Sequence, residues 1–150
     1  MKNLLIIFFL IFVDLIVKKI IFETIYLNNF IRINDFFDLA HIHNYGISFG
    51  MFSGFISPWL IIILSLLITL FIIYIYFISN NILEKWSYLV IIAGALSNII
   101  DRMVNGYVID YIYLHYKEFY WPAFNFADIY ITIGLCMLIF KFIKDLKKKI

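Results

Sequence analysis

Two carboxylates, Asp110 and Asp128, stand in a chain that otherwise carries few charges. They lie within Gly106-Tyr-Val-Ile-Asp110-Tyr-Ile and Phe124-Asn125-Phe-Ala-Asp128. Ionisable groups beside hydrocarbon are costly, so each is a functional-site candidate. Two carboxylates brought to one site share a proton, which lets one act as base and the other as acid. For Asp128 the competing reading is a helix cap, because Asn125 is a plausible N-cap with Asp128 at the third helical position. Further polar candidates precede the pair. Asn98, Asp101 and Arg102, at i, i+3 and i+4, share one face of a helix. Asp101 and Arg102 also fit a simple helix end at a membrane boundary. Asn44 opens Asn44-Tyr-Gly46-Ile-Ser48-Phe-Gly50, whose glycines permit close approach of a ligand chain. Asp14 and Lys18, four apart, can pair on one helix face, which lowers the cost of placing both in a membrane.

These residues must be held by apolar elements. Of 150 residues 65% are hydrophobic and 15% charged, with a mean hydropathy of +0.98. That composition marks an integral membrane protein of one domain. About 20 apolar residues cross a bilayer, and four such stretches are expected at approximately 4–22, 57–78, 86–104 and 127–143. A cleaved signal peptide is the competing reading of the first, but no small-x-small site follows it. Ser57-Pro58 is an N-cap followed by proline at the first helical position, and Trp59 to Ile78 carries no charge. Ala93-Gly94-Ala95 brings small residues that allow helices to approach closely. Between spans one and two, the stretch from Glu23 to Phe55 is less apolar and alternates around Leu39 to His43, predicting short strands. The region between Met103 and Phe126 is a second interfacial segment.

Several function classes fall away. A net charge of +2, with lysines crowded into the last ten positions, argues against nucleic-acid binding. Those lysines mark the cytoplasmic side, and an even number of spans places both termini there, with the polar candidates converging near the extracytoplasmic face. Cys136 has no partner for an internal disulfide and reads as a small apolar residue. His41 and His43, with His115, are of metal-binding type but lack further ligands at metal-site spacing, so no metal is expected.

The stretches Asp14-Leu-Ile-Val-Lys18, Asn44-Tyr-Gly-Ile-Ser-Phe-Gly50, Gly94-Ala-Leu-Ser-Asn98-Ile-Ile-Asp101-Arg102, Val108-Ile-Asp110-Tyr-Ile and Phe124-Asn125-Phe-Ala-Asp128 together resemble the lipoprotein signal peptidase family, the bacterial type II signal peptidases. They run in order from the first span to the fourth. Departures are mild: Leu15, Ile47, Ala93 and Ser97 stand where the family often has Gln, Ala, Gly and Gly. The resemblance implies an all-α membrane protein of four transmembrane helices, with a small extracytoplasmic β-rich segment between spans one and two. It implies an aspartic endopeptidase of the bacterial cytoplasmic (inner) membrane, without cofactor, that works among membrane lipid. Its partners would be diacylglyceryl-modified prolipoproteins, cleaved just before the lipidated cysteine. Asp110 and Asp128 would be the catalytic pair, while Asp14, Lys18, Asn44, Gly94, Asn98, Asp101, Arg102 and Asn125 would bind substrate or shape the site.

Two rivals remain at this level. A serine peptidase could use Ser48 or Ser97 activated by Lys18. A small transporter or channel subunit could relay protons or cations through Asp14, Asp101, Asp110 and Asp128.

Overall fold

The computed structural model describes residues 2–47 and 51–148. Ser48 and Gly50 of the glycine-bearing motif, and Lys149 of the tail, lie outside the described residues. The elements are α1 (Lys2–Thr24), β1 (Phe30–Arg32), β2 (Phe37–Asn44), α2 (Pro58–Ile78), α3 (Ile82–Asn105), β3 (Val108–Tyr116), β4 (Phe119–Tyr120) and α4 (Phe126–Lys147). Among the described residues three helices, α2, α3 and α4, are long and apolar enough to cross a membrane. Helix α1 is 23 residues long but carries Asp14, Lys18 and Lys19 in its second half.

Helix α3 is the pivot of the bundle, with α1, α2 and α4 each packed against it. Its approach to α4 needs two glycines. A Cβ on Gly94 would collide with the Ala127 carbonyl oxygen, and one on Gly134 would fall 2.5 Å from Ile91 Cγ1 and 2.7 Å from the Ser87 carbonyl oxygen. Gly94 was expected among the small residues of the third span; Gly134, its counterpart on α4, was not singled out.

Local signals explain the helix ends. The Ser57 hydroxyl accepts from Leu60 N–H at 3.3 Å, with Pro58 following as the first helical residue. Asn81 accepts from Leu83 and Glu84 N–H at 2.9 and 3.2 Å, starting α3 after a short break. That helix stops at Gly106, whose φ of 81° is the left-handed cap that glycine adopts without strain.

The expectation of an all-helical protein with a β segment confined to the first connection needs correction. The four strands form one antiparallel sheet in the order β1-β2-β3-β4, so half of its strands come from the connection between α3 and α4. The longest, β3, was legible only as an interfacial segment because Val108-Ile-Asp-Tyr-Ile-Tyr alternates too weakly in hydropathy. It is buried at its start on both faces, Val108, Ile109, Asp110 and Tyr111 all being buried, and strands covered on both sides lose the alternating pattern. The register pairs Ile42 with Asp110 and Asn44 with Val108, with an irregularity between Leu39 and Ile42. Ile109 and Tyr111 join Ile21 and Ile25 of the α1 end in a buried cluster, which seats the sheet on the helices.

Candidate active site

Strand β3 delivers Asp110, and the first turn of α4 delivers Asp128. Asn125 ties the two together. As the N-cap, its side-chain oxygen accepts from Asp128 N–H at 3.0 Å and its own N–H donates to Asp128 Oδ2 at 3.2 Å, a reciprocal capping box. Its side-chain amide is left free to donate to Asp110 Oδ1 at 2.6 Å. The cap and the site are therefore one arrangement: the geometry that starts α4 also presents Asp128 beside Asp110.

Two more asparagines complete the hold. Asn44, at the end of β2, donates to Asp110 Oδ2 at 2.9 Å and to the Ile47 carbonyl at 3.2 Å, while accepting from Gly46 N–H at 2.9 Å. Asn98 on α3 donates to Asp128 Oδ1 at 2.9 Å. Its oxygen faces the other way, accepting from Lys18 Nζ at 2.8 Å, which orients the amide. Arg102 does not touch either aspartate by hydrogen bond among these contacts. Its guanidinium donates to the Gly46 carbonyl at 2.7 Å and to the Asn98 carbonyl at 3.4 Å, pinning the loop after β2 to α3.

A second polar centre lies behind the first. Lys18 stands 2.8 Å from Asp14 Oδ2 and 3.3 Å from Asp101 Oδ2, and all three side chains are essentially sealed from solvent. Asp14 also accepts from Ser97 Oγ at 2.7 Å, Tyr111 Oη at 3.3 Å and Ala127 N–H at 3.1 Å. Asp101 accepts from Ile109 N–H at 2.9 Å and Asn105 Nδ2 at 2.6 Å, so it anchors the start of β3 rather than merely ending a helix.

Asp110 and Asp128 face a cavity of about 350 Å³, lined also by Asn44, Asn98, Arg102 and Asn125 and by apolar residues of three helices, among them Ile68, Ile72, Ala95, Ile131 and Leu135. Burial pushes the Asp110 carboxyl up to about 7, with the negative charge of Asp128 adding to the shift and the Asn44 and Asn125 amides opposing it. A carboxyl that holds its proton near neutrality can exchange it.

The histidines take other partners. His41 Nδ1 lies 2.7 Å from the Ile25 carbonyl and must donate to it, leaving Nε2 to accept from His43 Nε2 at 3.0 Å. His43 stacks on Tyr107, and burial beside His41 lowers its pKa. His115 contacts Asp38 at 3.1 Å. Among the described residues no group of three or more His, Cys, Asp or Glu side chains is arranged to hold a metal. Ser97, one arm of the serine alternative, is fully buried and its hydroxyl proton goes to Asp14. Lys18 is committed to two carboxylates, so this pair is poorly placed to act as nucleophile and base.

The structure thus gathers Asn44, Asn98, Arg102, Asp110, Asn125 and Asp128 around one cavity, places Asp14, Lys18 and Asp101 behind it, and uses Gly94 in helix packing. Tyr111, whose hydroxyl contacts both Asp14 and Phe126 N–H, was not singled out. No spacing rule marks it, because its partners come from α1 and α4.

Known proteins resemble this chain along almost its whole length. A family description, signal peptidase (SPase) II, matches residues 6–144. The lipoprotein signal peptidase of Thermodesulfovibrio yellowstonii is 40% identical over 139 residues, covering 92% of each chain. That of Wigglesworthia glossinidia brevipalpis is 37% identical over 141 residues, covering 93% of this chain and 92% of the relative. A bacterial membrane enzyme solved by the in meso method at 2.3 Å resolution superposes with a TM-score of 0.89 at 29% identity, covering 99% of this chain and 92% of the other. A second, at 1.9 Å, gives a TM-score of 0.83 at the same 29% identity. A match running from α1 through α4, together with relatives that span nearly the whole chain, establishes that this chain belongs to the signal peptidase II family.

Proposed function

We propose that Asp110 and Asp128 are the water-activating pair with which this aspartic peptidase removes signal peptides from prolipoproteins. One observation carries the reading: both carboxylates face the same cavity and are held there by side-chain amides of Asn44, Asn98 and Asn125 rather than by cations. Neutral donors orient a carboxylate without locking its charge, so the pair can retain one proton between its members. The ionised member takes a proton from water as that water attacks the scissile carbonyl, and the protonated member donates to the carbonyl oxygen. The roles exchange as the amine leaves, and no covalent intermediate forms. Asp128, in the first turn of α4, sits where the helix dipole favours its anion. The raised pKa of Asp110 supports placing the shared proton there. Asp128 is then the initial base.

The apolar wall of the cavity suits a lipid-modified substrate, and the family resemblance puts the cut just before a diacylglyceryl-modified cysteine. In this reading the chain is a single membrane domain in the bacterial inner membrane, spanning it four times, with α1 crossing because Asp14 and Lys18 neutralise each other against α3. Both termini are cytoplasmic and the cavity opens toward the extracytoplasmic face. Asn44 and Asn98 have donor and acceptor groups suited to an extended peptide, with Arg102 steadying the loop beside them.

The test is cleavage of a lipidated prolipoprotein by the purified enzyme in detergent. Asp110→Asn and Asp128→Asn should each bring turnover below detection while leaving folding and substrate binding intact, because the amide keeps the shape but cannot exchange the proton. Substantial turnover by either folded variant, or equal cleavage of unlipidated precursor, would remove the corresponding part of the reading. Reporter fusions after residue 150 and between β1 and β2 should report opposite sides of the membrane; the same side for both would sink the topology.

A further inference from the structure

The first three N–H groups of α4 have no acceptors within the helix, and each finds one of different origin. Phe126 N–H donates to Tyr111 Oη at 3.0 Å, Ala127 N–H to Asp14 Oδ1 at 3.1 Å, and Asp128 N–H to Asn125 Oδ1 at 3.0 Å. The Tyr111 hydroxyl also donates to Asp14 Oδ1 at 3.3 Å. Its ring is 1% exposed, lies in the cluster with Ile21, Ile25 and Ile109, and meets the Phe126 ring edge-on. Tyr111 follows Asp110 on β3, so strand alternation sends the two side chains to opposite faces. Both reach the start of α4: Asp110 through the Asn125 amide at 2.6 Å, Tyr111 through Phe126 N–H. Backbone bonds already join β3 to Phe124, two residues before the helix, Tyr111 and Ile112 N–H both donating to its carbonyl at 3.0 and 2.8 Å. The Asn125 and Tyr111 side chains carry that hold into the first turn of the helix itself, from opposite faces of the strand.

We propose that Tyr111 is a positioning residue for the peptidase reaction: its hydroxyl clamps the first turn of α4 to β3 and so sets the placement of Asp128 against Asp110. The inference rests on the assignment of that pair as catalytic. Phenylalanine at 111 would fill the same space but leave the half-buried Phe126 N–H without its acceptor and deprive the buried Asp14 of one donor, a cost that the helix relieves by shifting. The hydroxyl stays protonated throughout the working range, since burial and the Asp14 carboxylate both push its pKa up. The clamp therefore does not itself titrate.

Tyr111→Phe should lower kcat about tenfold, the effect of losing one buried hydrogen bond, while KM changes by less than about twofold. A purely structural role would reduce the folded yield and leave these ratios alone. The alkaline limb of the pH profile supplies a second readout. If Asp128 moves away, it repels the Asp110 anion less, the Asp110 pKa falls, and the limb moves to lower pH by about half a unit. Should the phenylalanine variant not accumulate, 3-fluorotyrosine at 111 keeps the shape but weakens the oxygen as an acceptor, and kcat should fall about two- to threefold. Parental kcat with an unmoved alkaline limb in the phenylalanine variant, or unchanged kcat in the fluorotyrosine enzyme, overturns the proposal. Asp128→Asn measured alongside separates the two questions: turnover there would overturn the catalytic pair itself, whatever Tyr111 does.

Discussion

Asp14 and Asp110 are both buried aspartates in one connected polar network, yet their surroundings leave them different freedoms. Asp14 has an ammonium at 2.8 Å and three further donors, and it has no place in the lining of the cavity that Asp128 faces. Asp110 accepts from two neutral amides and faces that cavity. A carboxylate matched by a cation and ringed by donors from other elements serves to hold those elements together. One held by neutral amides beside a second carboxylate, with burial favouring its protonated form, keeps a proton within reach and remains open to a reacting molecule. Burial alone therefore does not distinguish structural acids from chemical ones in this protein; the charge and direction of the partners do.

Removing the cation from the Asp14 centre should break this contrast most severely. Lys18→Met would leave Asp14 and Asp101 buried without the ammonium between them, and uncompensated buried charge costs about 3–5 kcal/mol. The variant should melt far below the parent in detergent or fail to accumulate. A parental melting temperature would mean that the carboxylates are solvated or protonated and that the centre does not organise the fold.

Asn98 joins the two centres, accepting from Lys18 and donating to Asp128. Asn98→Ala should keep the fold but release Asp128 on one side, lowering kcat about tenfold, the effect expected from one hydrogen bond to a charged group. Cleavage at the parental rate would show that this helix face has been misassigned.

A further effect is expected on stability, and its sign tests the surroundings of Asp110. Asp110 has its pKa raised from 3.8 to about 7 in the folded protein. The folded state thus binds its proton more tightly, and stability on this account is full below pH 3.8 and declines as pH rises toward 7. Thermal melting between pH 4 and 8 should contain a component that falls with rising pH and vanishes in Asp110→Asn. A component of the opposite sign at this residue would mean that the Asn44 and Asn125 amides, which favour the anion, outweigh the burial that disfavours it.

Much of the site was legible before any fold was known, for identifiable reasons. Asp14 with Lys18, and Asn98 with Asp101 and Arg102, lie within one helix each, so spacing alone puts them on shared faces. Asn125 and Asp128 form a capping box whose residue types announce it. Strand β3 was not recognised, because Val108 to Tyr111 is buried throughout and lacks alternation. The division of labour among Asp14, Asp101 and Asp110 was not legible either, since each takes partners from elements distant in the chain. Tyr111 is the extreme case, its hydroxyl bonds reaching 97 residues back to Asp14 and 15 forward to Phe126.

The sequence by itself determined the apolar helices, their caps, the strands of the first connection and a set of polar residues too costly to be accidental in such surroundings. These are decided by local pattern and by the free energy of placing charge near hydrocarbon, quantities that depend on a residue and its near neighbours. Only the tertiary structure decided that β3 joins β2 across the two connections, that Gly94 and Gly134 let α3 and α4 meet, and which carboxylates receive a cation. Those outcomes depend on which distant groups come within a few ångströms of one another, and an electrostatic environment at that range is a property of the packed chain.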